Sequence, residues 1–485
     1  MILGYLRYGW VSTALFALGC GLSYAQAATL DGTLYSYWGD AKGGATPALF
    51  RAYVIDNANQ RFELALPSEQ SKSRVQALNG KLVSVDFAEI DTIQKAQAPV
   101  LNVTSITPFS GSLSLEDPSA SHAVTGSKKY VSLLCKFSDI SDEPQGIAYF
   151  NNMYGDQAGQ LGHYWREVSS DVMNLVGSRA YGGNNGNSGW FTMPRPLASY
   201  VSANSTDLDL LFEDCVGQAD PFIDFTQVDG INLMFNSEIG CCAWGGGYTT
   251  TLDGEYRTFP TTWEPDWGWS NVSVMAHELG HSLGLPHSNN SDQDNNPYDS
   301  PWTVMSYAFN GFADPVFGNR GVHLNSHEKD TLGWIPSGEI FRARNNGRVA
   351  RVSLTFLDRA SAANNAVRLI EFTENGKRIY TVEARKRGGT YEELPGTAVI
   401  IHGINGNREE PAWVVDEANP PADFSDTEGV MWRVGEEFED KARGIRVFVV
   451  AKRSTGFVVD VFVPGNSVGV SITPAIELLL NDEPI

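Results

Sequence analysis

The stretch VMAHELGHSLGLPHS, residues 274–288, gathers three of the chain's eight histidines into eleven positions. His277 and His281 are four residues apart, so on a helix they project from one face. Glu278 lies beside the first of them, placed to reach a water on a metal ion without binding the metal itself. In H-E-x-x-H the glutamate acts as general base. Ser270 or Asn271 can cap the start of such a helix. Gly284 can adopt positive φ, ending the helix and turning the chain so that His287 swings back toward the two others. A catalytic zinc needs three protein ligands and one open position, and His277, His281 and His287 supply the three. Chance would give fewer than roughly 0.02 H-acid-x-x-H matches in a chain of this composition, and Gly284 and His287 at their offsets make coincidence remoter still.

Composition bounds the partners. The chain has 485 residues, more than one core usually serves, and a formal charge of −22 from 57 acidic against 35 basic residues. Such a surface repels nucleic acid and anionic membranes. The N-terminus carries one cation, Arg7, an apolar run from Trp10 to Leu22, and Ala25-Gln26-Ala27, which together read as a secretory signal over residues 1–27. Cys20 fits a lipoprotein site poorly. No later segment is apolar and long enough to span a bilayer, so export without membrane insertion is expected. Past the signal, four cysteines remain: Cys135, Cys215, Cys241 and Cys242. Pairing the two adjacent ones would strain the backbone, which favours Cys215 joined to one of them. Cys135, in the apolar run YVSLLCKF, reads as a buried hydrophobe.

The chain divides by texture. Five strand-like runs, LDGTLYSYWG, LFRAYVIDN, QRFELALP, GKLVSVDFAEI and PVLNVTSITPF, fit a small OB-like β-barrel over 28–110. The Ser-rich stretch 111–129 reads as an exposed linker, open to proteolysis. Strands and helices then interleave over 130–337, among them the helix-like LGHYWREVSSDVMNLV and TDLDLLFEDCVGQA, so an α/β domain is expected there. Residues 338–465 turn β-rich, with a hairpin at Asn375-Gly376 and a second in IRVFVVAKRSTGFVVDVFV; a β-sandwich fits. The last twenty residues, 466–485, read as a tail.

Downstream, SPWTVMSY places Met305 and Tyr307 in a turn-like context. H-E-x-x-H-x-x-G-x-x-H followed by such a methionine turn is the metzincin signature. With LGHYWREVSSDVMNLVG and HLNSHEKDTLGWIP, the chain resembles secreted metzincin peptidases of the gametolysin and immune inhibitor A families, over roughly residues 130–400. Immune inhibitor A members usually carry Asp as third ligand, whereas His287 here is closer to gametolysin. The resemblance implies a multidomain protein whose α/β metzincin-like peptidase domain is flanked by the barrel and the sandwich. It implies zinc-dependent cleavage of peptide bonds in extracellular proteins, with Glu278 as base and Met305 packed beneath the metal. It also makes Tyr307 a candidate oxyanion donor, since some metzincins place a tyrosine two residues after the methionine.

Other features carry less. His323 and His327 follow the methionine turn and read as packing or surface residues; His163, His122 and His402 stand alone. SNNSDQDNN, 288–296, could hold calcium through Asp292 and Asp294, although it lacks the Gly and terminal Glu of an EF-hand loop. GGGYTTTLDGEYRTF, 245–259, resembles the cleft-edge strand on which metzincins pair an extended substrate. The barrel and linker suggest a propeptide whose block, without a cysteine-switch motif, is steric. The contrasting reading is an adhesin or glycan-binding protein built on an inactive peptidase-like fold. The intact Glu278 favours the enzyme, for a retired site has no reason to keep base and ligands together.

Overall fold

The computed structural model describes residues 28–465 apart from 46, 92–98, 110–122, 203–204, 293–295, 359–365 and 419–426. The expected signal with Cys20, most of the expected linker with His122, Asp294 and the tail lie outside the described residues.

Each of the five N-terminal strand-like runs forms a strand: β1 (Ala28–Ala41), β2 (Leu49–Asp56), β3 (Arg61–Ala65), β4 (Leu82–Asp91) and β5 (Val100–Pro108). β1 pairs antiparallel with β2 and with β4, β2 pairs with β3, β3 runs parallel to β5, and β5 pairs with β4. The ring therefore closes. Its interior holds Leu34, Val54, Leu64, Val83, Val85 and Leu101, the inward positions of strands alternating with period two. A helix not expected from the sequence, α1 (Glu69–Ala77), supplies Val75 to this core. It was hidden because little else in EQSKSRVQA is apolar. β1 also runs to Ala41, two residues beyond the expected strand; Tyr37–Gly39 pair with β2 of the barrel and, on their other edge, with the central sheet, and Asp40 and Ala41 extend past the β2 pairing.

The central region is built on β6 (Tyr130–Lys136), α2 (Leu161–Val168), α3 (Leu208–Ala219), β7 (Gly230–Phe235), β8 (Cys242–Leu252) and β9 (Glu255–Glu264). β6, β7 and β9 run parallel, and β8 pairs antiparallel with β9. Side chains alternate across the sheet. Val131, Leu133 and Cys135 pack against Leu211, Phe212 and Cys215 of α3. Tyr130, Leu134 and Met234 face the opposite side, with Leu161 and Trp165 of α2. The helix over 161–168 is shorter than the sequence suggests, because Ser170 and Asp171 take positive φ and the chain enters a short strand at Met173–Asn174.

The disulfides correct the sequence reading. Cys135 is bonded to Cys215, with Cα atoms 5.8 Å apart, and Cys241 to its neighbour Cys242. α3 lies on the β6 face that carries Cys135, a tertiary relationship that residue spacing does not encode. The end of the expected linker is also fastened: Val124 donates its N–H to Leu332 O and accepts from Trp334 Nε1, while Gly126 N donates to Val172 O.

Beyond Trp334, β10 (Val349–Thr355), β11 (Leu369–Glu374), β12 (Lys377–Arg385), β13 (Ala398–Ile404), β14 (Ala412–Val414), β15 (Glu437–Asp440), β16 (Ile445–Arg453) and β17 (Gly456–Phe462) make two sheets. Both sheets contribute to one core, with Val382 and Ile401 from the first and Val447 and Val459 from the second. The Asn375-Gly376 turn is present with both residues at positive φ, as a tight hairpin of this type requires. Among the described residues, no helix is long and apolar enough to cross a membrane.

Candidate metal centre

Helix α4 (Val272–Ser282) is capped by Asn271, whose side chain accepts from Ser273 N. It ends at Leu283, and Gly284 takes φ of 93°, which turns the chain back so that His287 meets His277 and His281. The Nε2 atoms of His277 and His281 lie 3.0 Å apart, and each is 3.2 Å from Nε2 of His287. All three rings are buried.

Two carbonyls fix two of the rings. His277 Nδ1 donates to Val304 O at 2.6 Å, and His281 Nδ1 donates to Leu285 O at 2.7 Å. Protonation at Nδ1 leaves the Nε2 lone pair bare and aimed inward, the tautomer a metal ligand requires. Burial lowers the His281 pKa to about 3, so this ring stays neutral. Met305 sits under the ligand helix, its Sδ 2.4 Å from where a Cβ on Gly280 would stand. Met305 O also accepts from Ser288 N, next to His287.

The sequence reading missed a fourth member of the cluster. Asp40, near the end of β1, places Oδ2 3.3 Å from Nε2 of His277 and of His281, and Oδ1 2.8 Å from Nε2 of His287. Tyr298, also not foreseen, donates its hydroxyl to Asp40 Oδ1 at 2.7 Å. Oδ2 has no hydrogen-bond partner. A zinc ion about 2.0–2.1 Å from four tetrahedral donors would hold those donors roughly 3.3–3.4 Å apart, close to the separations found here. Two bare imidazole lone pairs facing an unsatisfied carboxylate oxygen, with His287 Nε2 hydrogen-bonded to the other oxygen of that carboxylate, are costly unless a cation lies among them. The donor set therefore fits a divalent metal, and Asp40, His277, His281 and His287 form a buried group able to hold one.

Glu278 is not one of the four residues of this group. Its carboxylate is buried and neither oxygen is hydrogen-bonded. Burial, reinforced by the charges of Asp40 and Glu264, holds its pKa well above the usual carboxylate value. Glu264, at the end of β9, is itself pushed up to about 8, mainly by burial. Tyr307 is half-buried with its ring tilted against Phe309, centroids 6.2 Å apart. The remaining described histidines pack rather than ligate: His323 Nδ1 is 3.0 Å from Lys329 Nζ, His327 Nδ1 is 3.3 Å from Arg378 Nη1, His163 Nδ1 is bonded to Tyr391 Oη, and His402 is fully buried. At the candidate calcium loop, Asp292 Oδ2 accepts from Asn290 Nδ2 at 3.3 Å.

The hairpin of β8 and β9 turns at Asp253-Gly254, both at positive φ. β8 lies between β9 and β1 in one sheet, and Gly245 lies against the ligand helix: a Cβ there would come within 2.2 Å of Glu278 O. The part of this strand beside the candidate metal centre is therefore residues 242–246, of which 245 and 246 open the stretch 245–259 expected at a cleft edge. Residues 242–246 are covered by β1, with Tyr37 opposite Gly246 and Ala41 opposite Cys242.

No family model matches the chain, and no curated protein does. Among solved structures, it is similar to wild-type OgpA from Akkermansia muciniphila at 12% identity, with 69% of this chain and 92% of that one covered and a TM-score of 0.26. Catalytically inactive OgpA from the same organism, in complex with an O-glycopeptide (glycodrosocin) substrate, aligns at 12% identity over 70% of this chain and 92% of that one, with a TM-score of 0.23. Superpositions at this level do not bear on what the metal centre does.

Proposed function

We propose that this chain is a secreted zinc-dependent endopeptidase of the metzincin type, acting on peptide bonds of extracellular proteins. The observation that carries this reading is the convergence of three Nε2 atoms from H-E-x-x-H and His287, two of them tautomerically fixed by carbonyls, beside an unpaired buried glutamate. His277, His281 and His287 would hold zinc, which when bound acidifies a water and polarises a carbonyl.

Glu278 takes the proton of the attacking water and then delivers it to the leaving amine. Its lack of any hydrogen-bond partner leaves both oxygens available for that transfer. The edge of β8 along 242–246, which β1 fills in this structure, would offer a peptide main-chain hydrogen bonds once β1 is displaced, an arrangement that reads main chain and permits broad specificity. Tyr307 enters as a candidate donor to the developing oxyanion. Export rests on the N-terminal 27 residues, and two disulfides suit an oxidising compartment.

The test uses the secreted protein, before and after limited trypsin treatment, incubated with a mixture of folded and denatured proteins. New N-termini are read by mass spectrometry with and without 1,10-phenanthroline. Chelator-sensitive cleavage, absent from Glu278→Ala that still contains zinc, is expected. Cleavage that survives Glu278→Ala would sink the reading.

A further inference from the structure

The last part of β1 does two things that the barrel does not require. Residues 28–33 pair with β4 inside the barrel, whereas Tyr37–Ala41 pair with β8 in the central sheet. The two strands fit each other closely. A Cβ on Gly39 would meet the ring of Trp244 at 2.6 Å, and a Cβ on Gly246 would meet the ring of Tyr37 at 2.5 Å. Each strand thus has glycine where the other presents an aromatic face. Trp38 stacks on His281, ring centroids 5.4 Å apart, and lies edge-on to His287 at 4.5 Å. β1 is antiparallel to β8 and takes the main-chain hydrogen bonds that an extended peptide added to that edge would use.

We infer that Asp40 is the fourth ligand of the metal and that β1 occupies the peptide-binding edge of β8, so that the described chain is a latent form of the enzyme. The inference rests on the metallopeptidase reading. A carboxylate oxygen is an ordinary zinc ligand, and a tetrahedral site with four protein ligands has no position left for water. Oδ2 of Asp40 is buried, unpartnered and directed at Nε2 of His277 and His281, while Tyr298 holds the other oxygen. The block is therefore coordinative as well as steric. Because β1 is also a barrel strand, withdrawing Asp40 withdraws the barrel as a unit, and chain cleavage between barrel and central region is the natural release.

The experiment reads the metal rather than turnover. The full chain and its Asp40→Ala and Asp40→Asn variants are loaded with cobalt, and metal content, circular dichroism and the visible d–d spectrum are recorded. Each is then titrated with acetohydroxamate, a bidentate metal-binding probe. The parent spectrum should stay unchanged at millimolar probe. Asp40→Ala should show a shifted spectrum and bind the probe at least tenfold more tightly, with faster loss of metal to a chelator. Asp40→Asn, which keeps the shape of the side chain, serves if the alanine variant does not fold and should bind the probe more tightly than the parent. Equal metal content with coincident spectra and equal probe binding in all folded variants would overturn the Asp40 assignment and leave the peptidase reading standing. Failure of every form, parent included, to bind stoichiometric metal would overturn both.

Discussion

The sulphur of Met305 lies where a Cβ on Gly280 would be, 2.4 Å from that position, with Cε at 3.1 Å. Both residues are fully buried between the ligand helix and the turn that carries Val304, the acceptor for His277. Gly280 is thus the close-approach point that lets the methionine turn support α4. Gly280→Ala should overpack this contact at a cost of about 1–3 kcal/mol, only partly offset by the better helix propensity of alanine, about 1 kcal/mol. A lower melting temperature and faster zinc release are expected, both partly restored by adding Met305→Ala. Thermal melts and chelator kinetics on the three variants check this; an unperturbed Gly280→Ala would show that the contact is slack.

Glu278 and Tyr307 have separable signatures. On trypsin-activated protein, Glu278→Gln should keep its zinc and lose on the order of 10²–10⁴-fold in kcat, the contribution of a positioned general base. Tyr307→Phe should lose on the order of 10²-fold in kcat at nearly unchanged KM, because a donor used only in the transition state leaves substrate binding alone. Parental turnover in Tyr307→Phe would assign that residue to packing with Phe309.

How much of this was legible depends on how local the signal is. The three histidines, Gly284 and Glu278 lie within eleven residues, and helix geometry alone brings them together. The barrel strands showed through period-two alternation, and the Asn375-Gly376 hairpin through its turn chemistry. Asp40 was not legible. It is 237 residues from His277 and lies one residue past a strand-like run that appeared to end at Gly39. A buried acid following Tyr-Trp-Gly was the only local sign. The Cys135–Cys215 bond was hidden for the same reason, since the packing of α3 on β6 decides it.

Arg385 ties the C-terminal sheet to the methionine turn. Fully buried on β12, it donates to Trp302 O at 2.5 Å, to Glu383 at 3.0 Å and, through its other nitrogen, to both oxygens of Glu392. Arg385→Met leaves two buried carboxylates without their cation, a change that typically costs about 3–5 kcal/mol. The urea midpoint should fall markedly, and zinc release should quicken because Trp302 loses its anchor. Adding Glu392→Gln should recover part of the stability. Parental unfolding in Arg385→Met would mean that the network contributes little.

His402 on β13 sets an acid limit. Its ring is fully buried and neither nitrogen has a hydrogen-bond partner. Burial lowers its pKa below the ordinary value of about 6.5, Glu383 opposes that shift, and Arg385 adds to it. A depressed folded pKa means that the unfolded chain binds the proton more readily. The stabilising contribution of the neutral ring is therefore complete above about pH 6.5 and is lost as the pH falls toward the folded pKa. The slope from one such group reaches at most about 1.4 kcal/mol per pH unit. His323 and His327, also held low by burial, add to the loss. Urea midpoints recorded from pH 7.5 to 5 should fall with acid in the parent and fall less steeply in His402→Leu, which carries no titrating ring and fills similar volume. Parallel curves for the two proteins would place the acid sensitivity in the other histidines.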